Sequence, residues 1–248
     1  MEKLTIRAFQ PASDPRATNE YIAQHRQVLE DHGVSNAITP PNEWLRNPGV
    51  VLIVAEHPSL GMVGGIRIQP AMPGHPVPMR SSLVELDPSA SSSLRFLEGR
   101  GTAEVCGLWN AHRFSGKGLP LLLSMAAVSI APWMSTPTLV CFVAFYTARH
   151  AKKNGFIPIE SIGQCGEFNY PIPEIRSTAM VIPDAYSLET APAEHRGAIL
   201  SLRTRPFQER VEMPSQTPIK VRYMLHWAGK GMDLRPFGKI QESYVAKP

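Results

Sequence analysis

Residues 113 to 131, "RFSGKGLPLLLSMAAVSIA", set two glycines around a lysine directly ahead of a run of small and branched apolar residues. A helix that is apolar all round has to be covered on every side, so this run predicts the buried central helix of the chain. The strand-like stretch "TAEVCGLWN" precedes it, giving the order strand, glycine turn, helix. The first N–H groups of such a helix lack intrahelical partners, and the helix dipole adds partial positive charge at that end. Gly116 and Gly118 permit positive φ and close approach of a ligand to the backbone, while Lys117 supplies a charge. The unit reads as an anion site, the alternative being a glycine-rich helix start that binds nothing. It is not a Walker loop, since no G-K-[ST] follows at the required spacing, and it lacks the third glycine of a dinucleotide fingerprint.

The remaining composition narrows the partners. With 43% apolar and 19% charged residues over 248 positions, the chain is globular and long enough for a core of its own. No apolar run reaches the roughly 18 residues of a membrane span, and "MEKLTIRAFQ" alternates like a strand rather than forming a signal peptide, which predicts a cytoplasmic protein without membrane partners. The net charge of +4 favours anions, but basic residues are scattered rather than clustered with aromatics. A small polyanionic ligand is therefore expected and nucleic acid is not. Cys106, Cys141 and Cys165 are widely spaced and read as reduced, mostly buried thiols. His25 and His32 fall on one helical face without a third ligand, so no metal is expected.

Along the chain, "KLTIRAF" reads as a strand and "NEYIAQHRQVLEDHG" as a helix with Ile22, His25, Val28, Leu29 and His32 on one stripe, ended by Gly33. After a loop with Pro40 and Pro41, "GVVLIVAEHPSLGMVGGIRIQP" has the form of a hairpin. Residues 70–101 then interrupt the pattern with five prolines and a serine run, either a tolerated surface insertion or a functional covering segment, with a short helix around Ser89 to Leu97. "TLVCFVAF" reads as a strand, "YTARHAKKNG" as a short helix, and "FIPIESIG" and "STAMVIPD" as further strands. Beyond Asp184, "APAEHRGAILSLR" looks helical and "IKVRYMLHW" strand-like, and neither has an obvious place in the preceding sheet.

This order of elements, with "SGKGLP" after the fourth strand and "ARHAKKNGFIPIESIG" later, resembles the GNAT acyltransferase superfamily over roughly residues 1 to 182. The resemblance implies an α/β fold of the α+β kind, with a mixed, mostly antiparallel sheet flanked by helices. It places a GNAT-like domain at 1–190, with the insertion at 70–101, and a C-terminal extension at 191–248 that packs on it or on a partner subunit. It further implies that the loop binds the pyrophosphate of acyl-coenzyme A, with acetyl-coenzyme A the expected co-substrate. Ser115 stands where the family usually has arginine or glutamine, and Pro120 where it has a small residue. A narrower resemblance links "MVGGIRIQPAMPGHPVP", the insertion and "AEVCGL" to acyl-homoserine-lactone synthases and N-acyl amino acid synthases, although Gly107 stands where those synthases carry an arginine.

Transfer from a thioester to an amine requires a neutral amine, a polarised carbonyl and an acid for the thiolate. Glu104 is the candidate base, the alternative being an edge-strand ion pair. Strand alternation puts it on one face with Cys106 and Leu108, and Val105, Gly107 and Trp109 on the other. An ordinary glutamate is a weak base for this task, so desolvation or a water relay is needed. The resemblance implies that backbone groups of Leu108, Trp109 and Asn110 polarise the carbonyl and that Ser115, Gly116, Lys117, Gly118 and Leu119 hold the co-substrate. Ala151 stands at the family's usual tyrosine position, and Tyr146, earlier on the same helix, is the candidate acid. An acyl-cysteine on Cys106, or a hydrolase triad of Ser124, His150 and Glu104, is the less economical chemistry. The expected function is an N-acyltransferase with a small-molecule amine acceptor. A long-chain N-acyl amino acid or autoinducer-type synthase fed by acyl carrier protein, or a non-catalytic acyl-coenzyme A binder, are the alternatives. The C-terminal strand either completes its own sheet or exchanges with a second copy in a homodimer.

Overall fold

The alternation of Leu4, Ile6 and Ala8 against polar residues produces β1 (Glu2–Phe9), with those three side chains buried on one face. A computed structural model describes residues 1–34 and 42–226 of the chain. The Pro40/Pro41 loop and Trp227 lie outside the described residues. Asp14 caps α1 (Pro15–Asp31) by accepting from the Ala17 N–H at 3.0 Å, and Pro15 occupies the first turn, where no N–H is required. The hairpin follows as β2 (Val51–His57) and β3 (Gly61–Pro70), and the insertion supplies two helices, α2 (Pro78–Leu83) and α3 (Pro88–Glu98), rather than one. Next come β4 (Thr102–Asn110), α4 (Leu119–Ile130), β5 (Thr138–Ala144) and α5 (Phe145–Lys153). "FIPIESIG" yields only the two-residue β6 (Ile157–Pro158), because Pro158 lacks a ladder donor and the chain turns at Gly163 and Gly166, both with positive φ. The described chain ends with β7 (Glu167–Asn169), β8 (Arg176–Ile182), α6 (Ala193–Thr204), β9 (Phe207–Glu212) and β10 (Ile219–Met224).

The ten strands among the described residues form one sheet in the order β6-β8-β5-β4-β3-β2-β1-β10-β9, with β7 also paired to β8. Only the β1/β10 and β4/β5 pairs are parallel, so the fold is mixed α/β with a mostly antiparallel sheet. The segment from 191 continues this sheet: β10 runs parallel to β1 from Glu2↔Ile219 to Arg7↔Met224, and β9 returns antiparallel beside it. The place that sequence order hid is the free edge of β1, which would otherwise expose a row of unpaired backbone groups.

Helix α4 is buried at every position except Pro120, and it is covered by β2, β3 and β4 on the sheet side and by α5 and α6 beyond. Its face of the sheet carries Val51, Ile53, Ile66, Ile68, Ala103 and Val105. The opposite face holds two smaller clusters. Phe9, Leu52, Val54 and Trp109 pack on Tyr21 of α1, and Val140 and Ala179 pack on Val77, Met79, Leu83 and Leu94 of the insertion. The insertion is thus a folded cover with its own apolar contacts. Of the cysteines, Cys141 is buried and Cys106 half-buried, but Cys165 is exposed, since it falls in the turn before β7.

Candidate active site

Because Ala103 and Val105 face α4, Glu104 and Cys106 face the other way, into a cavity of about 1320 Å³ between α1, the insertion, α5 and the glycine loop. On β3 the same alternation turns Ile66 and Ile68 toward α4 and Arg67 and Gln69 toward the cavity, opposite Cys106 and Glu104. Four polar side chains on two central strands therefore share one wall.

Strand β4 leaves simple alternation at Gly107. The β3/β4 register shifts between Gly65↔Trp109 and Arg67↔Cys106, a bulge in which Gly107 adopts φ +60. The extra residue inverts the parity beyond it: Leu108 packs toward the α4 core and Trp109 toward α1 with Tyr21, opposite to the faces that alternation assigns. Tyr21 fixes the bulge by donating its hydroxyl to the Gly107 carbonyl at 2.6 Å, and a Cβ on Gly107 would stand 2.3 Å from that hydroxyl. On its other edge, β4 pairs with β5 only from Thr102 to Glu104, so the strands part there and Cys106, Gly107, Leu108, Trp109 and Asn110 border the cavity.

Glu104 is 3% exposed and lies mid-sheet rather than at an edge, so the ion-pair alternative does not apply. Its carboxylate accepts from the Met79 N–H of α2 at 2.6 Å. Burial raises its pKa from 4.5 to about 7, against smaller opposing effects of the Met79 hydrogen bond and the Arg67 charge. The sheet and the insertion together supply this desolvation. Burial also pushes Cys106 up to about 12, which leaves a thiol at neutral pH and argues against the acyl-cysteine route. Ser124, His150 and Glu104 all border the cavity, but no hydrogen bond joins them into a triad among the described residues.

The glycine loop takes the form read from its sequence, with one correction. Gly116 (φ +71) and Gly118 (φ +76, the residue capping α4) both require positive φ. Their N–H groups and that of Leu119 meet no acceptor among the described residues, and Ser115, Gly116 and Gly118 border the cavity. Lys117 does not. Its ammonium lies 3.0 Å from Glu2 Oε1 and 5.0 Å from the centre of the Phe114 ring, and its hydrogen bond holds the Glu2 carboxyl below the ordinary range. The Leu119 side chain is fully buried in the core, so only its backbone is available to a ligand. Gly118 is also pressed against the loop between β9 and β10, where a Cβ would stand 2.7 Å from the Pro214 carbonyl oxygen.

Helix α5 contributes Tyr146, half exposed and edge-on to Phe145, together with Arg149, His150 and Lys153, all bordering the cavity. Burial and the neighbouring Arg149 and Lys153 charges lower the His150 pKa. The cations of α5, like Arg67 and Gln69, went unread in the sequence. For the β3 pair a signal was present, since "GIRIQP" alternates two isoleucines with two large polar residues on a central strand. Among the described residues no group of three or more His, Cys, Asp or Glu side chains could hold a metal ion, and no helix is long and apolar enough to cross a membrane.

No protein-family model and no curated protein sequence matches the chain. Solved structures do. FeeM, an N-acyl amino acid synthase from uncultured soil microbes, superposes with a TM-score of 0.53 at 15% identity, covering 79% of this chain and 99% of its own. BjaI, a coenzyme A-dependent acyl-homoserine lactone synthase solved with SAM and isopentyl-CoA, gives 0.53 at 13% identity over 96% of this chain and 99% of its own. An acyl-CoA N-acyltransferase from Pseudomonas aeruginosa gives 0.50 at 12% identity, over 72% and 98%. The chain has the fold of the GNAT-type acyl-CoA N-acyltransferases.

Proposed function

We propose that the protein is an N-acyltransferase that moves an acyl group from coenzyme A to a primary amine. The observation that carries this reading is a buried carboxyl of pKa about 7 on the strand that parts from its neighbour beside a glycine-capped helix start. In the reaction, Glu104 takes a proton from the amine, whose nitrogen forms a bond to the thioester carbonyl. Backbone N–H groups of Leu108, Trp109 and Asn110, beyond the point where β4 parts from β5, stabilise the oxyanion. The C–S bond then breaks, and the thiolate takes a proton from Tyr146. The N–H groups of Gly116, Gly118 and Leu119 bind the pyrophosphate, and Arg149 and Lys153 add positive charge along the same cavity.

The cavity exceeds the roughly 300 to 1,000 Å³ of common ligand sites, a volume that has room for coenzyme A and an amine acceptor together. Fatty acyl donors, including those on acyl carrier protein, form the second reading. The test is thermal stabilisation by coenzyme A and by acetyl-, succinyl- and long-chain acyl-coenzyme A. A ligand at a hundredfold excess over Kd adds about 2.7 kcal/mol. A shift with at least one thioester is expected and its chain length reports the donor. No shift with any would remove coenzyme A from the reaction and leave acyl carrier protein as the donor to test.

Because Lys117 is engaged by Glu2, Lys117→Ala is expected to leave the midpoint of coenzyme A binding within about threefold of the parent. Stability should fall by no more than about 1 kcal/mol, as for other surface ion pairs. A tenfold loss of affinity in calorimetric titration would return Lys117 to the phosphate site.

A further inference from the structure

The sheet ends differently on its two sides. One side closes with β6, a two-residue strand carrying Pro158, which offers little to a further strand. The other ends with the six-residue β9, whose outer edge is unpaired among the described residues. The Leu225 N–H donates to the Pro206 carbonyl at 3.0 Å, so the even-numbered residues of β9 carry the ladder to β10. Phe207, Glu209 and Val211 therefore direct their N–H and C=O groups outward. On the face toward α6 the strand is tied down, since Gln208 donates to the Ser201 carbonyl at 3.0 Å and Arg210 to the Ala198 carbonyl at 3.3 Å. The opposite face carries Phe207 (59% exposed) and Val211 (60%), with Met224 of β10 (39%) beside Phe207. Charges that commonly keep such an edge from pairing are here engaged within the chain. Glu209 is held by Lys220 at 2.9 Å and Arg222 at 3.3 Å, and Arg210 by Glu212 at 3.0 Å.

We propose that this edge pairs with the same edge of a second copy, β9 running antiparallel to β9 about a two-fold axis at Glu209, so that the two sheets become one. The residues that point outward are then the ones that meet, and each facing pair exchanges both of its backbone hydrogen bonds. Phe207 of each copy stands opposite Val211 of the other, an aromatic against a β-branched side chain, and the register of β9 with β10 extends the row to Met224 on one side and Lys220 on the other. The central row reads Arg222, Glu209, Glu209, Arg222, and each carboxylate keeps its own two cations. Moving the axis one residue on sets Arg210 against Arg210 and Glu209 against Val211, which loses the apolar pairs and opposes like charges. The edge is thus self-complementary, as a two-fold contact between identical chains requires. The strand that meets the second copy is β9, because β10 is enclosed between β1 and β9.

The experiment measures the mass of the full chain by light scattering from about 5 to about 200 μM, a range over which the share of a dimer rises with concentration. A species of twice the chain mass is expected at the upper end. Val211→Pro removes an outward N–H and no bond to β10, so the fold should be kept while the dimer dissociation constant rises at least about tenfold. Phe207→Ser leaves the backbone untouched and should weaken the dimer in the same direction. Register is read by oxidation in a Cys165→Ser background, since Cys165 is exposed. Glu209→Cys puts two thiols on facing residues with Cα atoms about 5.5 Å apart, inside the disulfide range, and should give a covalent dimer. Val211→Cys sets them roughly 14 Å apart and should not. A dimer indifferent to Val211→Pro and Phe207→Ser, whose Glu209→Cys form does not cross-link, would move the contact to another surface and overturn the proposal. A chain that stays monomeric throughout would overturn it too, and leave the edge to residues 227–248 of the same chain or to a different protein.

Discussion

Glu104→Gln is expected to lower kcat by about 10²- to 10⁴-fold, the span of general base catalysis, while the protein folds as before. Glutamine keeps an oxygen for the Met79 N–H, so the contact that ties α2 to the site survives. The parent should show kcat/KM rising with pH and levelling above about 7, because only the ionised carboxyl accepts a proton. The variant should lack that limb. Stability moves in the opposite sense. The folded pKa of about 7 lies above the ordinary 4.5, so below 4.5 the group is protonated in both states and burying it costs little. As the pH rises from 4.5 through 7 the unfolded carboxyl ionises while the folded one resists, and stability is lost across that window. The full cost, on the order of 3 kcal/mol, persists above it. Glu104→Gln removes this cost, so the variant should be no less stable than the parent at pH 5 and more stable at pH 8. A variant that keeps its activity, or one that melts earlier at pH 8, would remove Glu104 from the base role.

Gly107→Ala should be a strongly damaging single-methyl change in the site. The added Cβ meets the Tyr21 hydroxyl at 2.3 Å and Arg67 Nη1 at 3.3 Å, at a φ of +60 that side chains rarely adopt. Left-handed strain of about 1 to 2 kcal/mol and overpacking of about 1 to 3 kcal/mol together predict a loss of about 2 to 5 kcal/mol in denaturant unfolding. Either Tyr21 withdraws, losing its hydrogen bond to the Gly107 carbonyl, or the bulge flattens and Leu108 and Trp109 exchange faces. Both outcomes disturb the backbone proposed to stabilise the oxyanion, so activity should fall even where the protein stays folded. Tyr21→Phe paired with Gly107→Ala tests the geometry: removing the hydroxyl should recover part of the stability. A Gly107→Ala protein as stable as the parent would mean that the bulge is not held by this contact.

What the sequence made legible was local. The helix after the glycine loop, the hairpin, α1 and the burial of α4 all follow from periodicity, caps and turn residues within a few positions of one another. The stripe of Ile22, His25, Val28, Leu29 and His32 was readable too, although it faces the cavity rather than a dry core. The reading of β4 broke at Gly107, because one inserted residue reverses every later side chain and nothing in "EVCGLWN" announces that its glycine is a bulge. β10 was hidden for a different reason, its partner β1 lying at the far end of the chain. Lys117 pairs with Glu2, 115 residues away, a partner that no local pattern indicates. Arg67 and Gln69 were visible as polar residues on a strand, but the burial of Arg67 Nε and Gln69 Oε1 without partners depends on how α1 and the insertion cross the sheet.

The contact between Gly118 and Pro214 has a consequence for how this protein tolerates rearrangement. The turn joining β9 and β10 acts as a splint behind the loop proposed to bind coenzyme A, although nearly a hundred residues of chain separate them. Sequence drift in that turn is therefore constrained by a ligand it need not touch. A chimera that grafts the first 190 residues onto a foreign C-terminal half would inherit every side chain proposed for chemistry and still present a slack cradle.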